Sequence, residues 1–135
     1  MEKLTVEEII ETLRIALQNR EEIIFAYLYG SFAEGLPFRD IDIAVYVKEE
    51  VVSRDEAFNY GLELSSLVEA ETKIGPLDIR VINYAPVGLK YYVTRGRMLF
   101  SKDEEKRYDF IEETWKRYFD LMPKRKQILL DLLSP

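Results

Sequence analysis

Two aspartates, Asp40 and Asp42, interrupt the otherwise apolar stretch DIDIAVYV, and a third, Asp78, stands in LDIRV, a stretch of the same character. In a strand, residues two apart project to one face roughly 7 Å from each other, so Asp40 and Asp42 point together while Ile41, Ile43 and Val45 take the other face. Two carboxylates held side by side repel, and burying them costs several kcal/mol unless cations neutralise them. Magnesium suits this role, because it prefers hard oxygen ligands and is commonly held by one or two carboxylates together with substrate phosphates. A neighbouring strand lies about 5 Å away, so Asp78 in the right register would join the pair. Three carboxylates on adjacent strands suit a two-metal site for in-line phosphoryl chemistry. Just upstream, Gly30 and Ser31 end an apolar run, where a glycine permits close backbone approach and free N–H groups with a hydroxyl suit a polyphosphate.

The elements that must position these residues follow from local patterns. TVEEIIETLRIALQN opens with Thr5 and has Glu8 three residues on, a capping-box spacing. Ile9, Ile10, Leu13, Ala16 and Leu17 follow at helical intervals. EIIFAYLYG reads as a first strand stopped by a turn at Gly30, and DIDIAVYV as a second. SRDEAFNYGLELSSLVEAE repeats the capping signature at Ser53 and Glu56, which predicts a second helix turning Phe58, Leu62 and Leu67 toward the core. GPLDIRVIN reads as a third strand, APVGLKYYVTRG as a short helix or turn, and RMLF as a brief edge strand. The remainder predicts a long amphipathic helix interrupted or bent near Pro123. The expected fold is a small α/β (α+β) domain. It has a three- or four-stranded mixed sheet backed by helices on one face and a C-terminal helical extension.

Composition bounds the function. The chain has 135 residues, 47% of them hydrophobic, which predicts one domain over residues 1–135, divided into a catalytic core (1–100) and a helical extension (101–135). No cysteine and no histidine are present, so thiolate zinc sites, imidazole bases and Ser-His nucleophile systems are excluded and acid–base or metal chemistry must run on carboxylates. A net charge of -6 opposes direct nucleic-acid binding. The acidic, helical N-terminus and the lack of a long apolar stretch predict a cytoplasmic protein with no membrane association.

Gly30–Ser31, then Asp40-Ile41-Asp42 after a short loop, then a strand aspartate at Asp78, resembles the nucleotidyltransferase superfamily that includes DNA polymerase beta. Length and element order match its minimal nucleotidyltransferase branch. Within that branch, YLYGSFAEG, DIDIAV and the later TRGRMLFSKDEEKRYDFIEETWKRYFDL are similar to the MntA antitoxins that accompany HEPN-domain HepT toxins. The resemblance implies that Asp40 and Asp42 bind two magnesium ions. It further implies that Asp78 completes one metal and accepts the proton of the attacking hydroxyl, and that Ser31 with the Gly30 backbone holds the β- and γ-phosphates of a nucleoside triphosphate. It implies AMP transfer from ATP to a tyrosine of a HepT-like partner, silencing the toxin. The chain departs from the usual pattern in carrying Glu34 near a usually basic position, Arg39 in place of a serine, and a loop before Asp40 about two residues shorter than is common.

Blander roles stand beside these. A lone strand-end aspartate is ordinarily a hydrogen-bonded structural residue, Asp78 could face solvent on an edge strand, and Ser31 could act as a helix cap. Lys90, Arg95 and Arg97 are candidate phosphate or partner contacts or plain surface charge. Tyr91, Tyr92, Tyr108, Phe110, Trp115, Tyr118 and Phe119 are expected to pack a core or an oligomer face. Two rival functions remain: an antitoxin that neutralises its partner by binding alone, and a small-molecule nucleotidyltransferase, for which 135 residues leave little room to enclose an acceptor.

Overall fold

Every residue of Ile23–Tyr29 is buried, and this strand, β1, lies inside a four-stranded mixed sheet. The computed structural model describes residues 3–134. Helix α1 (Val6–Gln18) precedes β1, and a single helical turn, α2 (Gly30–Ala33), follows it. Then come β2 (Ile41–Val47), α3 (Ala57–Thr72), β3 (Leu77–Val81), α4 (Val87–Thr94), β4 (Arg97–Ser101) and α5 (Glu104–Leu133). The sheet order is β3-β2-β1-β4, with β1 antiparallel to both β2 and β4, and β2 parallel to β3.

Helix α1 starts as its spacing predicts. The Thr5 hydroxyl accepts from the Glu8 N–H at 3.1 Å and the Glu8 carboxylate accepts from the Thr5 N–H at 3.2 Å. Its apolar stripe, Ile10, Leu13 and Leu17, packs with Leu64 and Val68 of α3 on the sheet face formed by Ala26, Leu28, Ile43 and Val45. The opposite face is covered as well, where the sequence led us to expect helices on one side. Phe25, Tyr27, Tyr29 and Ala44 pack there with Val93 and Leu89 of α4 and with Phe110 and Ile111 of α5. A strand apolar at every position needs cover on both sides, and β1 is such a strand.

Helix α3 departs further from expectation. Ser53 and Glu56 do bond to each other, with the Ser53 N–H and hydroxyl donating to the Glu56 carboxylate at 3.1 and 2.8 Å, but the regular helix starts at Ala57. Phe58, Leu62 and Leu67 are 75, 54 and 53% exposed, and the inward face is Gly61, Leu64, Ser65 and Val68. The cause is close approach to the outer edge of β3. A Cβ on Gly61 would lie 2.5 Å from the Ile79 carbonyl oxygen, so only glycine fits there. Ser65 and Glu69 then accept from the edge N–H groups of Ile79 and Leu77 at 3.0 and 2.6 Å, closing an edge that would otherwise invite another strand.

Helix α5 is 30 residues long and runs uninterrupted through Pro123. A proline inside a helix removes one N–H and crowds the carbonyl four residues back, at a cost of about 3 kcal/mol. Here that carbonyl belongs to Phe119, in an exposed stretch where water can satisfy it. Tyr91 stacks on Tyr118 with ring centroids 3.8 Å apart, and Trp115 and Phe119 stand edge-on to Tyr91, which joins α4 to α5. Of the aromatic set expected to pack a core or an oligomer face, Phe110 packs against the core, whereas Tyr92, Tyr108, Trp115 and Phe119 are exposed. Among the described residues no helix is long and apolar enough to cross a membrane.

Candidate active site

The parallel pairing of β2 with β3 sets Asp42 directly beside Asp78, and the antiparallel pairing of β1 with β2 sets Tyr29 beside Asp42. One row of side chains, Tyr29, Asp42 and Asp78, therefore crosses three strands on the face shared with α4. Asp40 is not on the strand: it sits in the bend just before Ile41, because β2 pairing begins one residue later than the alternation suggested. It still meets Asp42 in a cleft of about 500 Å³, which Ser31 and Arg39 also line.

Gly30 makes this arrangement possible. It has φ +79°, and a Cβ there would fall 2.4 Å from Asp42 Oδ2. The β1–α2 turn thus rests its bare backbone against the Asp42 carboxylate, which a side chain would displace. On the other side of the turn, Gly30 and Glu34 border a cleft of about 360 Å³ with Tyr92, Arg95 and Arg97. Glu34 thus shares this cleft with two arginines, of which Arg97 pairs with Glu7 at 3.1 Å and Arg95 lies 5.9 Å from the Tyr91 ring centroid. Lys90 stands apart, in a groove with Glu113 and Arg117, its Nζ 5.7 Å from the Phe110 ring centroid.

The electrostatics mark the aspartate row as strained. Burial raises the Asp42 carboxyl above its ordinary pKa, the Asp78 and Asp40 carboxylates raise it further, and Arg80 opposes them. The Tyr29 hydroxyl is pushed up to about 12, chiefly by burial, with Arg80 pulling down and Asp42, Asp78 and Tyr92 pushing up. Sequence reasoning missed Arg80. Two residues beyond Asp78, it shares that face of β3 and donates to the Asp78 carboxylate at 3.2 and 3.4 Å. The signal was the i, i+2 spacing in LDIRV.

This pairing decides how the residues fit a divalent metal. Among the described residues no three acidic, histidine or cysteine side chains are gathered closely enough to hold one ion. Asp40 and Asp42, with the Ser31 hydroxyl, supply hard oxygen donors in one cleft, and the raised Asp42 pKa records charge that a cation would relieve. The donor set therefore fits magnesium. Asp78 stands apart from this donor set, its carboxylate paired with Arg80 at 3.2 Å.

Residues 9–105 match the model of the family described as polymerase beta, nucleotidyltransferase. The chain belongs to that family. Among curated relatives of this nucleotidyltransferase, the protein adenylyltransferase MntA of Shewanella oneidensis is 26% identical over 99% of this chain and 91% of its own length. A solved mutant of the toxin–antitoxin MntA–HpeT is 25% identical, with a TM-score of 0.70 over 98% of this chain and 100% of the other. A toxin–antitoxin structure with AMP-PNP is 24% identical, with a TM-score of 0.69 over 97% and 100%, and shares the same fold.

Proposed function

We propose that this chain is a magnesium-dependent protein adenylyltransferase that moves AMP from ATP to a tyrosine of a HepT-like HEPN toxin, acting as its antitoxin in the cytoplasm. The observation that carries the proposal is the direct register of Asp42 with Asp78, beside a cleft in which Asp40 and Ser31 meet Asp42. The name of the Shewanella relative supports the choice of AMP and of a protein acceptor. We take residues 1–100 as the catalytic core and 101–135 as a helical extension of the same domain.

In this reading Ser31 and the Gly30 backbone hold the β- and γ-phosphates of ATP at the β1–α2 turn, and Arg95 and Arg97 bring positive charge to the cleft across that turn, which Glu34 also lines. Asp40, Asp42 and Asp78 would hold two magnesium ions, which neutralise the triphosphate and polarise the α-phosphate. Asp78 accepts the phenolic proton of the tyrosine. The tyrosine oxygen forms a bond to the α-phosphorus, the bond from that phosphorus to the bridging oxygen breaks, and pyrophosphate leaves carrying the electron pair.

The test is incubation with α-labelled ATP, magnesium and the protein of the adjacent reading frame. A labelled tyrosine on that protein is expected with wild type, and an Asp42→Asn variant that labels equally well would refute the mechanism. One observation favours the binding-only antitoxin as a second reading: Arg80 already neutralises Asp78. Calorimetric titration with magnesium-ATP separates the two, since tight partner binding with no nucleotide binding at millimolar concentration selects the second.

A further inference from the structure

We infer that the acceptor tyrosine enters along the groove between α3, the outer edge of β3 and α4, on a polypeptide segment that is apolar around the tyrosine and carries an acidic neighbour. The inference rests on the transferase reading and adds the place and chemistry of the acceptor. In-line displacement requires the nucleophile opposite the leaving group. With the β- and γ-phosphates at the Gly30–Ser31 turn of β1, pyrophosphate departs on the β1 side of Asp42, so the acceptor arrives on the β3 side. Two strand spacings, about 10 Å, separate these positions.

On that side the structure has a cavity of about 570 Å³ that begins at Asp78. Phe58 and Leu62 form one wall, Leu89 and Tyr84 the other, and Arg80 stands on the floor. Phe58 and Leu62 are the two large apolar side chains that α3 turns outward here, 75 and 54% exposed. They serve no core, and they flank the opening next to the carboxylate assigned as proton acceptor. An added strand is opposed at this edge, because Glu69 and Ser65 already occupy the outward N–H groups of Leu77 and Ile79. It suits side chains inserted from a folded partner.

The charges select among occupants. Arg54, its guanidinium 5.2 Å from the Tyr84 ring centroid, sets one positive group along an apolar slot, and Arg80, paired here with Asp78, would add a second if Asp78 held a cation. An aspartate or glutamate near the tyrosine would answer them. A nucleic acid is disfavoured, since its phosphates would meet a protein of net charge -6.

The experiment compares wild type, the double variant Phe58→Ala/Leu62→Ala, and Leu67→Ala, using the adjacent-frame protein as probe. Leu67 lies on the same helix, is 53% exposed and lies outside the groove. Both partner affinity without ATP and AMP transfer are measured. The double variant is expected to raise the acceptor KM and the partner Kd at least tenfold, with kcat and magnesium-ATP affinity within twofold of wild type, and Leu67→Ala to change neither. A double variant within twofold of wild type in both overturns the groove and leaves the transferase reading standing. Tenfold weaker partner binding, with no label transferred even by wild type, places the partner in the groove but removes the transferase reading and with it the acceptor assignment. A wild-type protein that neither binds nor labels the probe, or that labels a second copy of itself instead, overturns the inference.

Discussion

Replacing Gly30 by alanine should uncouple the turn from the aspartate row, and the size of the effect can be worked from the backbone. At φ +79° an L-residue is strained by about 1–2 kcal/mol. In addition the new Cβ lies 2.4 Å from Asp42 Oδ2 and 3.3 Å from Asp42 Cγ, so the carboxylate must retreat by about 1 Å to reach ordinary van der Waals distance. A displacement of that size at a reacting centre costs on the order of 100-fold in rate. Gly35 provides the control: its φ is +73°, and a Cβ there meets nothing within 4 Å. For a chain of this size each kcal/mol shifts Tm by roughly 4 °C. Gly35→Ala should therefore lose about 4–8 °C in a thermal melt and keep its transfer rate within a few-fold. Gly30→Ala should lose at least as much Tm and about 100-fold in AMP transfer. Equal transfer rates in the two variants would refute the argument that the Gly30 backbone sets the position of Asp42.

Three further outcomes follow from named contacts. Because the folded-state pKa of Asp42 is raised, its ionisation opposes folding. The stability it lends is present below the unfolded value near about 3.9 and is lost as pH rises through the folded value. Metal-free Asp42→Asn should then melt higher than wild type at pH 7, by a margin that narrows toward pH 4, and a margin constant with pH would contradict this. Arg80→Gln removes a largely exposed ion pair of the kind worth about 0.2–1 kcal/mol, so manganese affinity without nucleotide should tighten about 1.4- to 5-fold. Isothermal titration should find no such gain when Asp78→Asn is already in place. Ser65→Ala leaves the buried Ile79 N–H without its acceptor, at a cost of about 1–3 kcal/mol read as a drop in Tm of roughly 4–12 °C.

The parts of the fold governed by local rules were legible in the sequence. The Thr5–Glu8 box set the start of α1, an unbroken apolar run marked β1, and an apolar run broken by Asp42 marked β2. The continuous burial of β1 already implied helices on both faces, a consequence that alternation alone did not suggest. Helix α3 was misread because hydrophobicity favoured Phe58, Leu62 and Leu67. The packed face is instead marked by small residues, Gly61 and Ser65, which a tight helix–strand approach selects. The aspartate row needed strand register, which no single stretch contains, and the Arg80–Asp78 pair depends on side chains that share a face only once β3 is in place. Two of the exposed apolar residues that looked like core, Phe58 and Leu62, line the groove beside Asp78.

The most direct test is manganese anomalous scattering from crystals grown with a non-hydrolysable ATP analogue. The account predicts two metal peaks at about 2.1 Å from carboxylate oxygens, shared by Asp40 and Asp42 and with one reaching Asp78, and the Arg80 guanidinium withdrawn from Asp78. Nucleotide bound without metal at these carboxylates, or an intact Arg80–Asp78 pair in the loaded protein, would contradict it.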